Sequence, residues 1–301
     1  MEIKHFKPIK NIKVNDLVKQ YSNLGFQAGK LSKSTEIIES MIKDKDCKVF
    51  LGVAGALVPA GMKEILIDML KNKWIDVLVI TGANLTHDLI EDLGFKHYQG
   101  SEKEDDKKLK KQDLDRIYNV YMPNEAYKKL EDFFEKNFDE LSKTKNIREF
   151  LFTLGKLTPG NGILKTCYKE KIPVFCPAIS DSGIGLMVWG RLAQGKKIDV
   201  NAFEDLKEIL DIDWTSKKTG VIYLGGGVPK NYIQQAMQFT KGASYAVQIT
   251  MDRPEQGGSS GAELKEGISW NKLNENAKFC NLTCDITIAL PIIYSALKDR
   301  I

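Results

Sequence analysis

The segment from Asp252 to Lys272 (DRPEQGGSSGAELKEGISWNK) gathers groups that could do covalent chemistry. Glu266, Trp270 and Lys272 put an acid, a large aromatic ring and a primary amine within seven residues. Ahead of them, Gly257-Gly258-Ser259-Ser260-Gly261 has the composition of a loop. A lysine acting as a nucleophile must be unprotonated. From a reference pKa of ~10.4, a free lysine at pH 7 is neutral about one time in 2,500, a deficit of ~4.6 kcal/mol. Burial beside an apolar ring is one way to reduce that deficit. The competing reading of the same spacing is a surface lysine whose methylene stem lies over the ring with its ammonium in water.

Three other stretches could meet a ligand through the backbone: Gly52 to Gly61, Thr81 to Asn84, and Gly225-Gly226-Gly227. A triple glycine after an apolar strand lets a phosphate or ring approach closely, and Pro229 suits the first turn of a following helix. The same sequence also suits a tight strand-to-helix turn with no ligand. Neither a GxGxxG fingerprint nor a P-loop is present: Gly25-Phe26-Gln27-Ala28-Gly29-Lys30 is too short, and Leu31 stands where a magnesium-binding Ser or Thr is needed. Five scattered cysteines (Cys47, Cys167, Cys176, Cys280, Cys284) and three histidines (His5, His87, His97) lack the spacing of a metal site, so no metal is expected.

These groups need a scaffold, and the pattern of apolar runs suggests one. Val49 to Val53 and Ile75 to Ile80 read as buried strands. Met62, Ile65, Leu66, Met69 and Leu70 form a helical face between them, and Leu85, Leu89, Ile90 and Leu93 form another after the second. Ile172 to Ile179, Val221 to Leu224, Tyr245 to Thr250 and Asp285 to Leu290 continue the strand series. Alternation of strands and helices predicts an α/β fold, a Rossmann-like, mostly parallel sheet with helices on both faces. The stretch from Gly100 to Gly155 reads as charged and helical, with Tyr127, Leu130, Phe133 and Phe134 on one face. Residues 1–45 read as a helical N-terminal appendage. With no linker or repeat, residues 1–301 read as a single domain.

The 301 residues carry 44 Lys+Arg against 40 Asp+Glu, a formal charge of only +4 in short interleaved runs, which does not suggest a nucleic-acid partner. No run of ~18 apolar residues suggests a membrane span, and the N-terminus lacks a secretory h-region. A cytoplasmic location is expected.

Seven ordered motifs then give the chain a specific likeness. They are GVAGALVPAG (Gly52–Gly61), TGANLTHD (Thr81–Asp88), RIYNVYMP (Arg116–Pro123), REFLFTLGK (Arg148–Lys156), VFCPAISDSGIG (Val174–Gly185), YLGGGVPKN (Tyr223–Asn231) and SGAELKEGISWNK (Ser260–Lys272). From about Val14 to Ala296 the sequence resembles a deoxyhypusine synthase in its compact archaeal form. The resemblance implies an NAD-dependent transfer of the aminobutyl group of spermidine, through an imine on an enzyme lysine, to a lysine of the hypusine-bearing translation factor precursor. It implies Lys272 as that lysine, Glu266 as the acid near it, and Trp270 as lining of the amine channel. It also implies cofactor contacts at Gly55, Thr81, Gly82, Asp181, Gly226, Gly227, Ser260 and Asp285, and a homotetramer with active sites shared across a dimer interface.

The chain departs from the eukaryotic members of that family at the amine end. Asn231 stands where they have a histidine, Leu186 and Ser259 where they have acids that grip the polyamine, Gln256 where they have a cofactor aspartate, and His87 where they have a glutamate. Asn231 and Ser259 therefore become the candidate amine-binding positions. Loss of two carboxylates matters because spermidine carries about three positive charges, and a buried ammonium without a partner is costly. The alternative keeps the chemistry and changes the acceptor, as in a homospermidine-synthase-like or other deoxyhypusine-synthase-like transferase using putrescine or agmatine.

Overall fold

The computed structural model describes residues 2–301. Its described strands are β1 (Cys47–Val53), β2 (Val77–Ile80), β3 (Tyr98–Gln99), β4 (Leu114–Ile117), β5 (Val120–Pro123), β6 (Val174–Phe175), β7 (Lys218–Leu224), β8 (Ala243–Thr250) and β9 (Leu273–Thr283). Six of them form one sheet in the order β6-β2-β1-β7-β8-β9, and β3-β5-β4 form a small second sheet. β1 pairs parallel with β7, β7 with β8, and β8 with β9. Parallel strands covered by helices are buried on both faces and read as continuous apolar runs. Accordingly Val49, Phe50, Leu51 and Val53 of β1 and all of β2 are buried. Strand order reverses between β1 and β7, and in such sheets ligands bind beyond the carboxyl ends of the strands at that reversal.

The chain forms two compact units: residues 1–54, 74–79 and 206–301, and residues 55–73 and 80–205. No change of composition marks the crossings, so the sequence shows no linker there. In the first unit, the helix Phe26–Lys43 is part of the sheet's cover. It buries Leu31, Ile37, Ile38 and Met41, and its Gln27 Oε1 accepts from the Thr283 amide of β9 at 3.0 Å. Of the expected helical appendage, Val14–Tyr21 and Phe26–Lys43 are helical, whereas residues 2–13 form no regular element. Pro8 removes the amide hydrogen a helix interior needs. Lys7 instead exchanges two bonds with the Gln20 side chain, at 2.8 and 3.1 Å.

Three further expectations are corrected. Asp285–Leu290 is not a strand: Ile286–Lys298 is a helix burying Ala289, Leu290, Ile293, Ala296 and Leu297, a helical period hidden in an apolar run. The last strand is β9, an edge strand whose exposed polar residues conceal it from hydropathy. Ile172–Ile179 yields only the two residues of β6, because Pro173 and Pro177 cannot donate to a ladder. Within Gly100–Gly155, which reads as helical, Leu114–Pro123 is a hairpin, with Ile117 opposite Val120 and Tyr118 in the left-handed region.

In the second unit, the helix Gly82–Asp92 buries Leu85, Leu89 and Ile90 as expected, and also Asn84, Thr86, His87 and Asp88. Asp88 is wholly buried. It accepts the amides of Ile163 (2.9 Å) and Leu164 (3.1 Å), the opening residues of the helix Ile163–Glu170, and lies 3.0 Å from Lys63 Nζ. Burial pushes its carboxyl up, while Lys63 and the two amides oppose that shift. On the same helix, His87 Nδ1 meets His97 Nε2 at 2.9 Å, and His97 Nδ1 meets Glu91 at 2.8 Å. Burial, reinforced by His97, pushes His87 down to about 4.

Two outcomes follow from this unit. Asp88→Ala leaves two buried amides without their acceptor, while Lys63 keeps Asp92 (3.1 Å) and Glu91 (3.3 Å), so urea denaturation should show a loss of about 2–4 kcal/mol; a loss below about 1 kcal/mol would contradict the assigned role. Because His87 titrates lower in the folded chain than in the unfolded one, the folded state binds fewer protons between the ordinary value and about 4. Stability should therefore fall as pH drops from 7 toward 4, by about 3 kcal/mol from this residue. The fall in melting temperature between pH 7 and pH 5 should shrink in His87→Gln; an unchanged fall would refute the assignment.

Candidate active site

In the first unit, Glu266 opens the short helix Glu266–Ser269, and Trp270 follows it. Asn271 sits at φ 57, a left-handed position, held by its side-chain amide donating to the carbonyls of Gln238 (2.9 Å) and Thr240 (3.0 Å). This turn brings the Lys272 amide to 2.8 Å from the Gly267 carbonyl and starts β9. Lys272 is half-buried, and its Nζ stands 5.3 Å from the centre of the Trp270 ring, within cation–π range. The ring itself is 60% exposed, so within one chain it contacts the lysine without drying it.

Sequence reasoning missed a second lysine. Lys230, in the first turn of the helix Gly227–Met237, is only 1% exposed. Burial pushes it down to about 8; Glu266 pulls it up and Lys272 pushes it further down, so both charged groups lie within its electrostatic reach. No local pattern in the sequence marks it. Its Nζ donates to the carbonyls of Ser259 (2.7 Å) and Ala262 (2.6 Å). The structure thus brings Glu266, Trp270 and Lys272 together on one turn, while Ser259 and Ser260, upstream, are held through their carbonyls by Lys230 and by Gln248, whose amide donates to the Ser260 carbonyl at 3.0 Å. Asn231 is exposed on its helix and bonds to none of these groups.

The triple glycine divides its roles. Gly225 takes φ 77 with Ala54 Cβ at 3.1 Å, and the space a side chain would fill at Gly226 is occupied by Ser260 of the chain itself. Gly226 therefore serves internal packing. Gly227, at φ 61, has nothing within 4 Å of its missing side chain and remains open. Asp285, just beyond the end of β9, caps the helix Ile286–Lys298 with one oxygen, which accepts the amide of Thr287 at 2.7 Å and also its hydroxyl. It is exposed, and its other oxygen carries no such bond.

In the second unit, Thr81 caps the helix Gly82–Asp92 at the end of β2 and donates from Oγ1 to the Gly55 carbonyl at 3.0 Å. Asn84 donates to the same carbonyl at 2.9 Å. Gly55 is at φ 65, exposed, with nothing within 4 Å of its missing side chain. Gly82 lets Ser182 close in, and Ser182 caps the helix Gly183–Ala193 immediately after the exposed Asp181. Gly55, Thr81, Gly82 and Asp181 are thus gathered at helix N-termini, where free amides and the helix dipole favour anions. Each unit carries open glycine backbone and an exposed carboxylate, groups that fit the phosphates and ribose hydroxyls of a dinucleotide.

No helix among the described residues is long and apolar enough to cross a membrane. A family model described as deoxyhypusine synthase matches residues 16–297. A probable deoxyhypusine synthase of Methanosarcina thermophila is 43% identical over 302 residues, covering 99% of this chain and 95% of that protein. A probable deoxyhypusine synthase 1 of Archaeoglobus fulgidus is 41% identical over 292 residues, covering 97% and 96%. A deoxyhypusine synthase-like protein of Chlorobaculum tepidum is 34% identical over 312 residues, covering 95% and 88%. Among solved structures, one from Entamoeba histolytica described as a deoxyhypusine synthase has a TM-score of 0.64 at 19% identity, covering 98% of this chain and 96% of that one, a likeness of fold. With its α/β sheet, its lysine–tryptophan turn and these full-length relatives, the chain belongs to the deoxyhypusine synthase family.

Proposed function

We propose that this transferase moves the aminobutyl group of spermidine to a lysine of the hypusine-bearing translation factor precursor, with NAD as cofactor. The observation that carries this reading is the Lys272 ammonium 5.3 Å from the Trp270 ring, on the turn opened by Glu266. Bound NAD would supply a hydride acceptor for the amine-bearing carbon and return the hydride to the product, which would make the net reaction a group transfer. Lys272 adds through its free amine to the oxidised spermidine carbon and releases diaminopropane, and the acceptor lysine then displaces Lys272. Trp270 offers a π-face to the cationic donor. Glu266 pairs with an ammonium or carries the proton that Lys272 must lose. In the first unit Gly227, Ser260 and Asp285 are suited to the dinucleotide's polar groups, and in the second Gly55, Thr81, Gly82 and Asp181 are. The free oxygen of Asp285 suits a ribose hydroxyl, which favours NAD over its 2′-phosphorylated relative.

Assembly is part of the proposal. An open tryptophan beside a nucleophilic lysine leaves water to stabilise the ammonium, and a homotetramer with shared sites would cover it. Leu186, Trp189 and Leu192 lie exposed on the helix Gly183–Ala193, an apolar face suited to such contacts. A second reading, a small-amine acceptor such as putrescine or agmatine, is favoured by one observation. Leu186 is 57% exposed and Ser259 directs its carbonyl to Lys230, so neither supplies the carboxylate that the eukaryotic members use.

Incubation with labelled spermidine, NAD and the precursor protein should label that protein; label found only in small amines would select the second reading. Lys272→Arg should abolish transfer while dinucleotide affinity stays within about twofold, because arginine remains protonated. Normal turnover by this variant would remove Lys272 from the chemistry. Asp285→Asn keeps an oxygen to cap the helix but loses the charge, so calorimetric titration should show NAD binding weakened about tenfold or more at nearly constant melting temperature. Unaltered affinity would exclude Asp285 from the cofactor site.

A further inference from the structure

An apolar side chain of lysine's length would fill the Lys230 position without the cost of burying a charge, so stability alone does not account for a lysine there. Its two hydrogen bonds both go to backbone carbonyls, of Ser259 and Ala262. Gln248, on β8 and 1% exposed, directs its amide to the Ser260 carbonyl at 3.0 Å and toward that of Ala262 at 3.4 Å. The carbonyls of Ser259, Ser260 and Ala262 are therefore all drawn inward by two buried side chains from neighbouring elements. Ser259 and Ser260 are half-buried, and among the described residues neither their amides nor their hydroxyls have a hydrogen-bond partner, which leaves these donors free for a ligand. Ser260 is also wedged into the space left by Gly226, which fixes the turn against the triple glycine. Leu264, just downstream, is tied to β9 by its amide donating to Asn281 Oδ1 at 3.1 Å, and the helix with Glu266 follows directly.

We propose that Lys230 is a positioning residue whose ammonium pins the Ser259–Ala262 turn, presenting Ser259 and Ser260 to ligand and setting the entry to the Glu266–Lys272 turn. Charge makes the grip strong: hydrogen bonds from an ionised donor are shorter and about twice as strong as neutral ones. Two such bonds to carbonyls three residues apart define the orientation of the turn, which one neutral contact would not do. The identity of the ligands rests on the function proposed above; the pinning itself does not.

Lys230→Met keeps the volume and removes the grip, and Lys230→Arg keeps a charged donor. Hydrogen exchange separates a pin from a general prop. In Lys230→Met the amides of residues 257–265 should exchange about tenfold faster or more, with the helix Lys63–Lys71 unchanged and the melting temperature close to that of the wild type. Faster exchange throughout the chain, or none in 257–265, overturns the pin. With spermidine and NAD, the Met variant should raise KM for at least one of them about tenfold while kcat changes less than about threefold, and Lys230→Arg should recover part of that loss. A loosened turn with unchanged KM values overturns the presentation of Ser259 and Ser260. If the wild type binds neither NAD nor spermidine, the functional reading fails, and the exchange experiment still decides the pin.

Discussion

A primary amine adds to carbon only through its lone pair, and in the proposed function that requirement falls on Lys272, at the end of the region from Gly225 to Lys272. An ammonium with no partner is expensive to dry, and a permanently dry Lys272 could not meet the proposed substrate. The chain instead anchors the turn and leaves the amine reachable. Asn271 is clamped by two carbonyls in a left-handed conformation, the Lys272 amide is tied to Gly267, and the Trp270 ring stands beside the ammonium. Lys230, buried nearby, feels both Glu266 and Lys272.

The sheet makes this arrangement possible. Reversal of strand order between β1 and β7 opens the strand ends there, and the glycines after those strands keep the backbone approachable. Gly225, Gly226 and Gly227 are three different solutions in one turn: a left-handed corner, a close packing contact with Ser260, and an open surface. The second unit follows the same logic with different parts. There the Thr81 cap, the bare Gly55 and the approach of Ser182 to Gly82 gather polar groups, on a helix whose buried Asp88 ties down the start of another helix through two amides.

Elements with one strong period were legible in the sequence. The β1 and β2 cores, the helix after Gly82 with Leu85, Leu89 and Ile90, and the helix opened by the triple glycine all lie where hydropathy and turn residues put them. Local patterns failed where tertiary context decides. β9 is an edge strand with solvent-facing Asn and Glu residues, and the helix after Asp285 is so apolar that its period looks like a strand. For the site, motif order pointed to Lys272 and its neighbours, and the acid, ring and amine do lie on one turn. Lys230 was invisible because its importance lies in carbonyls about thirty residues away, which no local pattern encodes. Gly226 was read as room for a ligand, since a sequence cannot reveal that Ser260 already fills that room.

The central claim is that Lys272, and no other amine of this chain, carries the transferred group. The most direct measurement is mass spectrometry of the protein after incubation with spermidine and NAD and reduction with borohydride. The account predicts a single adduct with the mass of a reduced aminobutyl group, on the peptide containing Trp270 and Lys272. An adduct on Lys230 or any other lysine, or no adduct from protein that binds both compounds, would contradict it.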